Sequence, residues 1–210
     1  MKNRIPKNLV SNSKKICIIC EGYEEYDYLN RLKQLNLWNK NYSVKLVNAK
    51  GIDKVFSLYQ WHFQSDRYDI VLIICDTDMN PHTSFIDILS KVDELHSNCV
   101  NRNDIIFFAN PCSMQIILNH FKKIILNSNK KSDNADIIKN LTGIKNYDAK
   151  ENKRNSLFSK INKDNYNIMK NNIYNSNQTF NIIGSTNFIK LTTNLENNNI
   201  DWINNILDQI

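Results

Sequence analysis

Two short apolar runs constrain this chain most, because each stops abruptly on acid. Ile16-Cys17-Ile18-Ile19-Cys20 runs into Glu21-Gly22, and Ile70-Val71-Leu72-Ile73-Ile74-Cys75 runs into Asp76-Thr77-Asp78. An apolar run without alternation reads as a strand buried on both faces, the habit of parallel sheets. Between and after the runs the apolar spacing turns helical. The spacing predicts a helix over residues 24–36, with Tyr28, Leu29, Leu32 and Leu35 on one face, and another over 52–63 with Val55, Phe56, Leu58 and Tyr59 inward. Strands are expected at 43–48 and 104–109, and helices at 83–96 and 113–126. Strands alternating with helices give an α/β fold: a parallel sheet flanked by helices.

Beyond residue 130 no strong strand pattern appears. Two units are therefore expected: an α/β domain over 1–128, and a basic, Asn-rich, mostly helical extension over 129–210 packed on the same core. Ser185 or Thr186 is expected to cap a last helix or helix pair reaching Ile210. With 210 residues, 41% of them apolar, the chain can bury a core without disulfides or metal. Cys17 and Cys20, three apart on a strand, point to opposite faces, and Cys75, Cys99 and Cys112 stand alone, so free thiols are expected. No apolar stretch is long enough to span a membrane, and the basic start MKNRIPKNLVSNSKK lacks a signal-peptide core. The expected setting is cytoplasmic, without a membrane partner.

Functional groups in open α/β sheets gather at the carboxyl ends of the strands. Glu21, Asp76 and Asp78 occupy two such ends, and Glu25 follows Glu21 by one helical turn. Carboxylates brought together there repel one another unless a cation neutralises them, and hard oxygen ligands suit Mg²⁺ or Mn²⁺. Glu21, Asp76 and Asp78 are thus the candidate catalytic residues, and with Glu25 the candidate metal ligands. Charge adds a second clue. The net charge is +6, yet residues 122–170 alone carry 12 basic against 5 acidic side chains. Such a segment suits phosphate contact. Lys130, Lys131, Lys153 and Arg154 are its candidate nucleic-acid residues; Tyr23, Tyr26 and Tyr28 are candidates for base stacking, Tyr28 reading equally well as core.

The motif Glu21-Gly22-x-x-Glu25-x-x-x-Leu29, followed by IICDTD, resembles the Toprim domain, with spacing close to that of the overcoming-lysogenisation-defect nucleases. The segment ANPCSMQIILNHF and the later GSTNFIKL resemble stretches of RloB-like proteins of the same broad group. The resemblance implies a Toprim-like sheet and a metal-dependent nuclease acting on DNA or RNA. It also implies a role as effector of a prokaryotic anti-phage, abortive-infection system beside an ATPase partner. It adds His120 and Lys190 to the candidate nucleic-acid residues. It departs from the family at Met114, where a Glu is usual, so one well-held Mg²⁺ and at most a weak second site are expected. Two alternatives stay open: a non-catalytic Toprim-like module that binds nucleic acid or the ATPase, and, on the D-x-D alone, a haloacid-dehalogenase-type phosphatase. Self-association is also left open.

Overall fold

The two acid-ended runs become neighbouring strands of one parallel sheet. A computed structural model describes residues 13–209; most of the basic N-terminal stretch, and Ile210, lie outside the described residues. The strands are β1 (Lys14–Cys20), β2 (Tyr42–Asn48), β3 (Ile70–Asp76) and β4 (Ile106–Ala109), all parallel, in the order β2-β1-β3-β4. The register sets Cys20 against Ile74, and the Glu21 amide donates to the Ile74 carbonyl at 3.0 Å, so Glu21 leaves the sheet beside Asp76. Five residues of β1 and β3 are fully buried isoleucines or leucine (Ile16, Ile18, Ile19, Leu72 and Ile73), as central strands covered on both faces require.

The covering helices are α1 (Tyr23–Gln34), α2 (Val55–Phe63, entered through a 3-10 turn at Ile52–Lys54) and α3 (Thr83–Leu95). On α1, Tyr28, Leu29 and Leu32 are buried and Leu35 half-buried; on α2, Val55 and Tyr59 are buried while Phe56 and Leu58 pack only partly. The fourth strand is shorter than its pattern suggests. Asn101 accepts the Asn103 amide through its side chain, and Arg102–Asp104 wind into a 3-10 turn before β4 starts.

The helix expected over 113–126 is corrected most. Only α4 (Met114–Leu118) forms. Two side-chain amides take over the backbone: Asn119 Nδ2 donates to the Gln115 and Ile124 carbonyls at 2.6 and 3.2 Å, and Gln115 Oε1 accepts the Leu126 amide at 2.7 Å. Asn competes with helix in this way because its short amide reaches its own main chain.

The extension is helical: α5 (Ala135–Thr142), α6 (Glu151–Phe158), α7 (Lys163–Ile173), α8 (Phe188–Glu196) and α9 (Asp201–Leu207). Its apolar residues join the sheet's core. The Tyr28 ring lies 6.1 Å from Phe158 and 5.7 Å from Phe188, centroid to centroid. Thr186 accepts the Phe188 amide at 3.1 Å and so serves the start of α8, while Ser185 makes no cap. The same stretch closes the outer edge of β4. Asn187 Oδ1 accepts the Phe108 amide and Nδ2 donates to the Ile106 carbonyl, both at 2.8 Å, imitating a missing strand. All five cysteines are free. No helix among the described residues is long and apolar enough to cross a membrane.

Candidate active site

Adjacent strand ends place the predicted carboxylates at the carboxyl end of the sheet, near enough to raise one another's pKa. Each is fixed by a main-chain or side-chain donor. Glu21 Oε2 accepts the Asp76 amide at 2.9 Å, and Asp76 Oδ1 accepts the Ser113 amide at 2.6 Å, linking the exits of β1, β3 and β4. Glu25 folds back at the start of α1, where its Oε2 accepts the Gly22 amide at 2.9 Å. The approach is close: a Cβ at Gly22 would sit 3.3 Å from the same oxygen and push it by a few tenths of an ångström. Asp78 Oδ1 accepts from Asn129 Nδ2 at 2.9 Å. Asp78 turns the chain with a left-handed φ of 55°, and His82 Nδ1 reaches the Thr77 and Asp78 carbonyls at 2.9 and 3.0 Å, holding that turn.

Four site residues were not singled out by sequence: Glu24, Tyr147, Ser113 and Asn129. Glu24, on α1, is buried and accepts from Lys131 Nζ and, at 2.8 Å, from the Tyr147 hydroxyl. Lys131 therefore stands at the carboxylates and not on a separate phosphate-binding surface. Burial acts to lower its pKa, but Glu24 more than offsets this and raises it.

The electrostatics are those of crowded anions. Burial, then Glu25, pushes the Glu21 carboxyl up to about 8. Burial, then Glu25 and Glu21, holds Asp76 well above the usual carboxylate range, and burial with neighbouring Glu24 raises Glu25. Such groups keep protons or attract a cation. Hard oxygens with surplus negative charge fit Mg²⁺ or Mn²⁺ in donor chemistry. Among the described residues no three His, Cys, Asp or Glu side chains are grouped as metal ligands. Met114 is fully buried in apolar core and adds no oxygen to the site.

The remaining candidates separate. His120 is fully buried and shares a 2.8 Å hydrogen bond with the Tyr28 hydroxyl, so this core position corrects its expected place on a nucleic-acid surface. Arg154 is buried, paired with Asp27 and laid over the exposed Tyr23 ring. Lys190 pairs with Asp104. Lys153 donates to the Lys145 carbonyl at 2.8 Å, and Lys130 is exposed. Tyr26 is half-buried. Changing Lys130, Lys131, Lys153 and Arg154 together would therefore disturb the site as well as the surface. Ser113 acts through its backbone amide, which no side-chain pattern reveals, and Asn129 and Tyr147 lie in a tract where Asn and Lys dominate. Glu24 had one visible signal, its place beside Glu25 in the first helical turn.

No family model matches the chain, and no curated protein or solved structure matches it either.

Proposed function

We propose that this protein is a divalent-metal-dependent nuclease that hydrolyses phosphodiesters of DNA or RNA. The observation that carries the reading is the set of buried, mutually repelling carboxylates at the ends of adjacent parallel strands. Glu21, Asp76 and Asp78 would hold the ion, with Glu25 and Glu24 behind them. Bound there, Mg²⁺ or Mn²⁺ would supply Lewis-acid polarisation of the phosphate and an activated water. Lys131 balances part of the charge and keeps Glu24 oriented. Ser113 and Asn129 hold Asp76 and Asp78 in place. The resemblance to Toprim and RloB-like proteins extends the reading to an antiviral defence effector working with an ATPase.

A second reading, a non-catalytic module that binds nucleic acid or that partner, is favoured by one observation: every carboxylate already has an internal donor. Cleavage of labelled single-stranded and duplex DNA and RNA with Mg²⁺ or Mn²⁺ separates the two. The nuclease reading expects Asp76→Asn and Glu21→Gln each to lower the rate by roughly 10²-fold or more. Binding without metal-stimulated cleavage in the wild type selects the module.

A further inference from the structure

A cleft of about 290 Å³ lies beside the β4 exit, lined by residues of α4 and its C-terminal cap, residues 123–125, residues 172–177 at the end of α7 and the turn 182–185. Its back wall is made of rigid amides. Gln115 donates to the Ile124 carbonyl at 2.8 Å and accepts the Leu126 amide, and Asn172 donates to the Asn119 carbonyl at 2.8 Å. These bonds fix the wall and leave Asn172 Oδ1 and the whole Asn175 amide without partners among the described residues. The rim is aliphatic and exposed: Ile125 is 63% exposed, and Ile182 and Ile183 are exposed beside it. Gly184 makes this rim, because at its φ of 80° a Cβ would lie 2.8 Å from Ile125. One cation, Lys123, and no carboxylate lines the cleft. Ser185, also in the lining, is buried, and its hydroxyl has no partner among the described residues.

The geometry points to a nucleotide seat: one nucleobase held by Asn172 Oδ1, the Asn175 amide and the isoleucine rim, with its phosphate drawn by Lys123. Amides offer a donor and an acceptor side by side, the pattern of a nucleobase edge, and apolar side chains cover the faces of an unstacked base. A lining with one lysine and no acid favours an anionic ligand over a basic peptide. The cleft is tied to the β4 exit through the backbone: the Gly184 amide donates to the Asn110 carbonyl and the Asn110 amide to the Ser185 carbonyl, both at 3.0 Å. The seat deepens the nuclease reading, on which its role in cleavage rests, although nucleotide binding itself needs no metal. The nucleotide is either free or part of a strand.

The test uses the full chain in EDTA at low salt, with fluorescein-labelled single-stranded DNA and RNA followed by anisotropy, and with nucleoside monophosphates as competitors. Lys123→Glu and Asn175→Trp alter exposed positions, and thermal melting checks that both stay folded. Each is expected to weaken binding by on the order of tenfold or more. Competition by a monophosphate identifies a single nucleotide as sufficient; binding of oligonucleotide alone identifies a base within a strand. The proposal is overturned by absence of binding to any of these probes, or by affinity unchanged in both variants. It is equally overturned if only Lys123→Glu matters, which would mark surface charge and not a pocket. Loss of cleavage in Asp76→Asn with unchanged binding in the pocket variants would leave the nuclease reading standing and this seat refuted. Weakened binding in those variants without any metal-stimulated cleavage would do the reverse.

Discussion

Burial and Glu25 hold the Glu21 carboxyl near a pKa of about 8, against 4.5 for an ordinary glutamate. The sign of the linkage follows. Between those values the folded protein keeps a proton that the unfolded chain has lost, so this contribution to stability is full below about pH 4.5 and is lost as pH rises through about 8. His120 acts oppositely: burial lowers it from 6.5 to about 4, so its contribution is present above pH 6.5 and lost as pH falls through about 4. A single melting curve mixes the two. The difference between wild type and Glu21→Gln isolates the first. In EDTA that difference is expected to move steadily against the wild type from pH 5 to pH 8, and millimolar Mg²⁺ or Mn²⁺ is expected to flatten it. A pH-independent difference, measured by urea denaturation, would show that Glu21 is not strained by its neighbours. The chemistry of this residue was legible because it follows an apolar strand. Its donor was not, because a backbone amide carries no residue signature.

Elements were most legible where apolar residues are continuous, as in β1 and β3, and least where Asn-rich sequence lets side chains capture the backbone. Gln115 and Asn119 end α4 early in just this way, and periodicity alone cannot register it. The segment Ser185-Thr186-Asn187 reads in sequence as a helix start. In the fold it also seals β4, whose outer edge would otherwise lack partners for the Phe108 amide and the Ile106 carbonyl. Asn187 is 1% exposed, so no water replaces its amide when it is removed. Asn187→Ala leaves two buried main-chain groups unpaired at about 1–3 kcal/mol each, and a loss of roughly 3 kcal/mol in unfolding free energy is expected. Asn187→Asp keeps the acceptor for Phe108 and loses only the donor, but adds a buried charge facing the Ile106 carbonyl. It should therefore be no milder than alanine. Equilibrium urea unfolding checks both; a change below about 0.5 kcal/mol for the alanine variant would place the edge's stability elsewhere.

At the scale of the whole molecule, the charge count of the extension divides into two uses. Residues 122–170 carry an excess of seven positive charges, but Lys131 and Arg154 turn inward to Glu24 and Asp27 and tie the extension to α1. Sequence shows the excess and not the division, because pairing depends on contacts over a hundred residues apart. What remains for a polyanion is the exposed set, of which Lys130, Lys145 and Lys160 project from three different parts of the extension. If these contact phosphates, binding must weaken with salt, since each neutralised phosphate releases condensed counterion. The slope of log K on log salt is about −0.7 per contact for single strands and −0.9 for duplex. Replacing the three with Gln is then expected to flatten the slope by roughly two to three while leaving thermal stability unchanged. Lys131→Gln and Arg154→Gln should do the opposite, lowering stability with little change in slope, because they break internal pairs. Titrations at several salt concentrations, alongside melting curves, read both quantities. If the triple variant binds with the wild-type slope, the exposed lysines do not meet phosphate. The extension's outward face then serves another partner, and the nucleic-acid reading rests on the carboxylate site and the cleft beside the β4 exit alone.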